Sequence, residues 1–248
     1  MSTEIKFTND YFIKFFDLLK ELSENITIFF DFEACSFNVL SMDSCQVCVF
    51  QTSFVNAFTV VKSEQKDREI SVNILQLLNI LKCKEKSETY SISFDDDCVY
   101  FLFNNEEDGN DYQKYTLRLI DMESSSFAID NFGDNVSISM ESKYLSSLCK
   151  KLGNFGESIV FETKDNGSDL YIKSENDEAE LKITKKAEVT VSESDISVKL
   201  LLKYVAIFAK AEKFSDTVYI KSQCNEAPME FIYIFGENFI KFVIGPQL

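Results

Sequence analysis

LSMDSCQVCVFQ, residues 40–51, reads as a turn feeding a strand. Ser41-Met42-Asp43-Ser44 is rich in residues that hydrogen-bond their own backbone in turns. Val47, Val49 and Gln51 then fall on one face of a strand, with Gln46, Cys48 and Phe50 on the other. A turn that presents Met beside a short Val stripe sets a pliable apolar side chain near a surface, which suits an adaptable peptide-docking spot.

Similar strand patterns recur on both sides of it, at 26–32, 89–94, 98–103, 115–120, 136–140, 158–163, 169–174, 179–184, 217–222, 229–235 and 238–244. Turn signals separate neighbours at Asp95-Asp96-Asp97, Asp108-Gly109, Asp165-Asn166-Gly167 and Gly236-Glu237-Asn238. Such short spacings mean hairpins, so the sheets are mostly antiparallel. Four segments instead follow a helical period. They are marked by Phe12, Phe15, Phe16, Leu19 and Leu22; by Ile74, Leu77, Leu78 and Leu81; by Leu145, Leu148, Cys149 and Leu152; and by Val198, Leu201, Val205 and Phe208. Thr8 or Asn9, Asn73, Ser142 and Ser197 stand as caps near their starts. The order helix, strands, helix, strands then repeats. This predicts an α+β fold of two similar domains, 1–120 and 136–248, joined by a polar, Ser-rich connector at 121–135.

The chain has 248 residues and a formal net charge of −16, with 24 Phe, 7 Gly, 2 Pro and no His. The length suits one large domain or two ordinary ones, and scarce Gly and Pro argue against long structureless linkers. Without His, triads and metal sites built on imidazole are excluded. The seven cysteines, an odd number with no secretory leader before them, read as reduced thiols of an intracellular protein. No apolar run approaches the roughly 20 residues that span a bilayer, so no membrane partner is expected.

A strongly acidic total argues against nucleic acid, unless the cations are gathered in one place. They are. Lys199, Lys203, Lys210 and Lys213 fall in one narrow stripe when read as a single helix, with no acid between Asp195 and Glu212. Lys143, Lys150 and Lys151 lie close together on the preceding helix, which is acid-free from Ser142 to Gly156. One lysine stripe is usually just a solvated face; two acid-free helices in so acidic a chain point to a polyanion-facing surface whose contacts are to phosphates.

Other constellations read blandly. Cys45-x-x-Cys48 lies on a strand without a second pair, so its thiols act as small hydrophobes. Asp95-Asp96-Asp97 is a hairpin turn before it is a cation site, and Glu106-Glu107-Asp108 is a solubilising loop tip. There is no phosphate loop, nucleophile elbow or carboxylate pair, so no enzyme, metal or cofactor is expected. A cysteine hydrolase would need a base beside a reactive thiol.

Three stretches carry a resemblance: LSMDSCQVCVFQ; VNILQLLNILKCKEKSETYSISF (72–94) through YTLRLIDMES (115–124); and IFAKAEKFSDTVYIKS (207–222) with APMEFIYIFGENFIKFVIGPQL (227–248). With these, the chain resembles the proliferating cell nuclear antigen family of DNA sliding clamps across nearly its whole length. The resemblance implies two domains, each with two helices, and three subunits closed head to tail into a homotrimeric ring around duplex DNA. It implies a non-enzymatic processivity factor that tethers DNA polymerase and other enzymes and is placed by a clamp loader. Its setting would be the nucleus, or a cytoplasmic viral replication site for a viral member. A checkpoint-type or viral transcription-associated clamp acting in a heteromer is the alternative.

Positions matching the family's basic ones are Lys14, Lys20, Lys82, Arg118, Lys150, Lys203 and Lys210. Asn79 and Ser147 stand where the family carries two more cations; either contact is weaker there, or Lys143, Lys151 and Lys199 compensate. The family's subunit contact maps to 114–120, with Lys114, Tyr115, Leu117 and Leu119, and to 178–184, with Ala179, Leu181 and Ile183. Its partner pocket receives a short plug of a Gln, an aliphatic residue and two aromatics. That pocket maps to Met42, Gln46, Val47 and Val49, to Phe127 and Ile129, and to Pro228, Val243, Gly245 and Pro246, of which Phe127 and Val243 depart from the family's residues. Lys164 falls where eukaryotic clamps carry a ubiquitin-modified lysine, and reads equally as an exposed hairpin residue.

Overall fold

The structure, a computed structural model, describes residues 3–7, 9–63, 65–85, 88–104, 112–122, 133, 135–176 and 178–247. The expected connector therefore lies mostly outside the described residues, as do Thr8, Phe127, Ile129, the 106–108 acidic run and the Asp108-Gly109 turn. The chain divides into two compact units, Met1–Ser44 with Gln51–Ser126, and Cys45–Phe50 with Phe127–Leu248. Every strand pairing given below is antiparallel.

The first unit holds β1 (Thr3–Phe7), α1 (Tyr11–Leu19), β2 (Asn25–Asp31), β3 (Ser36–Met42), the end of β4 (Cys48–Phe54), β5 (Phe58–Lys62), β6 (Asp67–Asn73), α2 (Ile74–Leu81), β7 (Thr89–Phe94), β8 (Cys98–Asn104) and β9 (Tyr112–Arg118). One sheet runs β5-β1-β7-β8-β9, with β9 at its edge, and in the other β2 pairs with both β3 and β6. Asn73 starts α2 as its sequence position suggested: its Oδ1 accepts the Gln76 N–H at 3.0 Å. The core is aromatic. Phe12, Phe15 and Phe16 of α1 sit among buried strand phenylalanines, and Phe37 stacks on Phe54 at 4.5 Å.

The second unit holds the start of β4, then β10 (Val136–Glu141), α3 (Ser142–Leu152), β11 (Ser158–Lys164), β12 (Asp169–Ser174), β13 (Glu180–Ile183), β14 (Ala187–Val191), β15 (Ser197–Leu201), α4 (Leu202–Ala209) with a 3₁₀ turn at Lys210–Lys213, β16 (Thr217–Ser222), β17 (Met229–Phe235) and β18 (Asn238–Ile244). Its sheets run β13-β12-β11-β15 and β14-β10-β16-β17-β18. Phe208 of α4 stacks on Phe242 at 4.5 Å and lies 5.5 Å from Phe231, which ties the helix layer to the strands. At the Asp165-Asn166-Gly167 turn Gly167 has φ +79°, and a Cβ there would come within 2.6 Å of Val191, so only glycine fits. The N–H groups of Asn166 and Gly167 both donate to Asp195, each at 2.9 Å.

Three expectations need correction. Ser197–Leu201 is strand, not helix: Val198 and Leu200 are fully buried at spacing two and pair with β11, and α4 begins only at Leu202. Lys199 is thus a strand residue, and Ser197 caps nothing. Ser41 and Met42 belong to β3, and the turn begins after them. Leu22 lies beyond α1, which stops at Leu19.

Candidate nucleic-acid and partner interfaces

In the second unit α3 packs beside α4. Leu145, Leu148, Leu152, Val205 and Phe208 point into the core, which turns Lys143, Lys150, Lys151 and Lys203 to solvent. Lys210 is exposed in the 3₁₀ turn that follows. From Ser142 to Leu152 and from Leu202 to Lys213 there are six lysines and one acid, Glu212. No acid stands on α3 or α4 to neutralise this face. Lys203 Nζ lies 4.8 Å over the Tyr204 ring.

In the first unit α1 packs beside α2. Lys14 is exposed, with Nζ 5.9 Å over the Tyr11 ring, but Lys20 is held at 2.6 Å by Asp17 one turn back. The exposed side of α2 carries Leu75, Gln76 and Asn79, and its first cation is Lys82 at the C-cap. Arg118 is exposed at the end of β9. Lys199 stands apart from these helix residues: its Nζ donates to Glu175 at 3.1 Å and, hydrogen-bonded there, holds that carboxyl below its usual range.

The predicted contact strands are both sheet edges. Leu119 N–H donates to Asp97 O at 2.9 Å, which fixes the alternation of the β8–β9 ladder. The amides of Tyr115 and Leu117 then face β8, while those of Lys114, Thr116 and Arg118 face the open edge. On β13, Ser174 N–H donates to Ala179 O at 2.9 Å, so Glu180 and Lys182 face the open edge in the same way. Tyr112–Arg118 carries two cations and no acid, whereas 178–183 carries two acids and one cation, a complementary pair of edges. Leu119 and Ile120 leave the strand, Ile120 N–H donating to Ser71 O at 3.0 Å, and Ala179 precedes β13. Thr116 was missed by sequence reasoning, because which amides face outward depends on register.

Of the residues expected to dock a partner peptide, Met42 ends β3 in the first unit. In the second, Gln46 has a left-handed φ of 58° and is exposed, while Val47 and Val49 are half-buried and Cys48 and Phe50 are buried, as the alternation of LSMDSCQVCVFQ predicts. The Gly245 N–H donates to Val47 O at 3.4 Å. Beyond Pro246, Gln247 anchors the C-terminal segment: its N–H donates to Lys199 O at 2.8 Å, and its Oε1 accepts Ser158 Oγ–H at 2.7 Å. Val243 is buried, and Pro228, Gly245 and Pro246 are half-buried.

Lys164 is exposed but engaged, with Nζ 3.2 Å from Glu162 and 4.8 Å over the Tyr171 ring. Among the described residues no group of His, Cys, Asp and Glu could hold a metal ion, and no helix is long and apolar enough to cross a membrane.

Residues 3–127 match the model of the proliferating cell nuclear antigen N-terminal domain, and residues 128–248 that of its C-terminal domain. The chain belongs to the proliferating cell nuclear antigen family. Among solved structures, the proliferating cellular nuclear antigen of Entamoeba histolytica is similar in fold, with a TM-score of 0.84 over 99% of each chain at 20% sequence identity. The α+β fold read from helix and strand order, and the clamp fold that the resemblance implied, are therefore the fold of this chain.

Proposed function

We propose that this member of the family is a non-enzymatic sliding clamp, closed as a homotrimer around duplex DNA, that tethers a DNA polymerase and other enzymes. Tethering raises the partners' effective concentration at the DNA without new chemistry. The observation that carries the reading, beside family membership, is the acid-free cationic face of α3 and α4 in a chain of net charge −16. Lysines on exposed helix faces contact phosphates without reading bases, which leaves a ring free to slide. The edges of β9 and β13 supply complementary strands for head-to-tail closure, and closure would cover two edges that otherwise invite aggregation. The Gln46–Val49 stretch and the Pro228 and Val243–Pro246 segments supply the docking surface for client peptides.

The test is Lys150→Glu, Lys203→Glu and Lys210→Glu combined. Binding to a short duplex is followed by fluorescence anisotropy across a salt series, with several unrelated duplex sequences. The wild-type protein is expected to bind all sequences alike, with log K falling linearly in log salt. The triple variant is expected to lose about 0.9 in slope for each phosphate contact removed. Undiminished binding by the triple variant would sink the proposal.

A further inference from the structure

One antiparallel pattern in the second unit breaks the usual rule. A sheet with one solvated face turns polar residues outward. On β17 the inward residues Met229, Phe231 and Tyr233 are fully buried, yet two of the three outward positions are Ile232 and Ile234. Ile234 is 52% exposed. Cross-strand pairing sets Phe239 of β18 opposite Ile234 and Tyr219 of β16 opposite Ile232, so the apolar positions adjoin across three strands. Contiguous apolar surface of this kind marks a contact site more often than chance exposure does.

The patch has two different borders. On one side, Lys241, opposite Ile232, closes a 2.5 Å ion pair with Glu230 of the next outward row, neutral as a unit. Val243, opposite Glu230, is buried, and past it the strand that carries Phe239 and Lys241 leads to the Gly245–Pro246 docking segment, about 20 Å from Phe239 at strand rise. On the other side is a polar cleft of about 450 Å³. Three acids line it, Glu141, Glu188 and Asp216, with Lys185 and Lys186. Lys186 Nζ lies 4.5 Å over the Tyr144 ring, and three acids against two lysines leave the lining with a small negative balance.

We propose that the Ile232–Ile234–Phe239 patch and its acidic cleft bind the segment flanking a client's clamp-binding peptide, in extended form, with aliphatic or aromatic residues on the patch and a Lys or Arg in the cleft. The inference rests on the peptide-docking reading above and extends it along β18. Continuity of the strand joins the two sites, and charge complementarity selects an apolar-basic flank over an acidic one. The flank would lengthen a client's contact beyond the plug, and would separate clients that carry such a flank from those that do not.

The experiment uses the full chain and four labelled synthetic peptides: a plug alone (Gln, aliphatic, two aromatics), the plug preceded by an apolar-basic flank of seven residues, the plug followed by it, and the flank alone. One flanked peptide is expected to bind the wild-type protein at least tenfold more tightly than the plug. Ile234→Asp is expected to abolish that gain while leaving plug affinity within twofold. Since Ile234 is half in solvent, this variant keeps the fold, and Phe239→Ser provides a second check. No gain from either flank, or a gain that survives Ile234→Asp, overturns the proposal. So does a solution mass that falls in Ile234→Asp, because the patch would then join copies of the chain. If the plug itself fails to bind, the docking reading fails. The flank alone, read by methyl shifts of Ile232 and Ile234, still decides the patch: shifts confined to these methyls uphold it, and their absence overturns it.

Discussion

Proline at Thr116 separates assembly from folding. The Thr116 amide points away from β8, because the Leu119–Asp97 bond assigns the inward amides to the odd-numbered residues of β9. Proline there removes no hydrogen bond within the subunit, and the side chain it replaces is exposed. Across the proposed ring interface it would remove one donor, worth about 1 kcal/mol net, and strand a partner carbonyl at about 1–3 kcal/mol. The sum is roughly 2–4 kcal/mol per interface. At 1.4 kcal/mol per tenfold, each contact weakens by about 30- to 700-fold. A subunit leaving a ring of three breaks two contacts, so the penalty on releasing it roughly doubles. Sedimentation velocity at low micromolar concentration reads the outcome directly. The wild-type protein is expected near three times 28.5 kDa, and Thr116→Pro near one. Thr116→Val keeps the amide and is expected to keep the ring, whereas Leu117→Pro cuts a bond to β8 and is expected to lower the melting temperature. A ring that persists in Thr116→Pro, or a wild-type chain that runs as a monomer, would refute the reasoning.

Three further outcomes follow from packing and ionisation. Phe208→Ala deletes a fully buried ring stacked on Phe242, and urea unfolding should show a loss of about 3–5 kcal/mol; a loss under 1 kcal/mol would mean the helix layer is not tied to the strands there. Thiol titration of the native protein should find Cys45, Cys83 and Cys224 reacting fast. Cys149, its thiol pushed up to about 12 by burial, should react only on unfolding, and early labelling of Cys149 would contradict its placement. Glu175 is held below its usual range by Lys199, so its contribution to stability is present above the unfolded value of about 4.3 and is lost as pH falls through the folded one. Glu175→Gln should therefore flatten the fall in stability between pH 6 and pH 3, and an unchanged acid limb would remove the pair from the account.

Local pattern carried most of the fold. Strands with one buried face, such as Cys98–Asn104 and Thr217–Ser222, declare themselves by alternation, and α1 to α3 declare themselves by spacing. What escaped has physical causes. Phe58–Lys62 and Asp67–Asn73 are largely exposed strands at sheet edges, where only part of one face is buried and alternation is weak. Ser197–Leu201 escaped because Val198 and Leu201 fit a helical period with Val205 and Phe208, while the competing strand pair, Val198 and Leu200, becomes visible only when β11 is beside it. The outward amide of Thr116 and the apolar row Ile232–Ile234 likewise depend on register, which a single strand does not specify.

The reassignment of Lys199 changes how the positive charge is shared. Read as one helix, Lys199, Lys203, Lys210 and Lys213 would make α4 the strongest phosphate contact. With Lys199 on β15 and bound to Glu175, α4 itself keeps only Lys203, and Lys210 and Lys213 stand in the turn beside Glu212. On α3, by contrast, Lys143, Lys150 and Lys151 stand with no acid on the helix. The first unit is weaker still, since Lys20 is already paired with Asp17 and α2 offers no cation before its cap. Contact with DNA should therefore concentrate on α3. Lys150→Ala with Lys151→Ala should reduce the salt dependence of duplex binding by more than Lys14→Ala with Lys20→Ala, although each pair removes two formal charges. Equal losses would mean that total charge, rather than its placement on acid-free helices, governs the interaction.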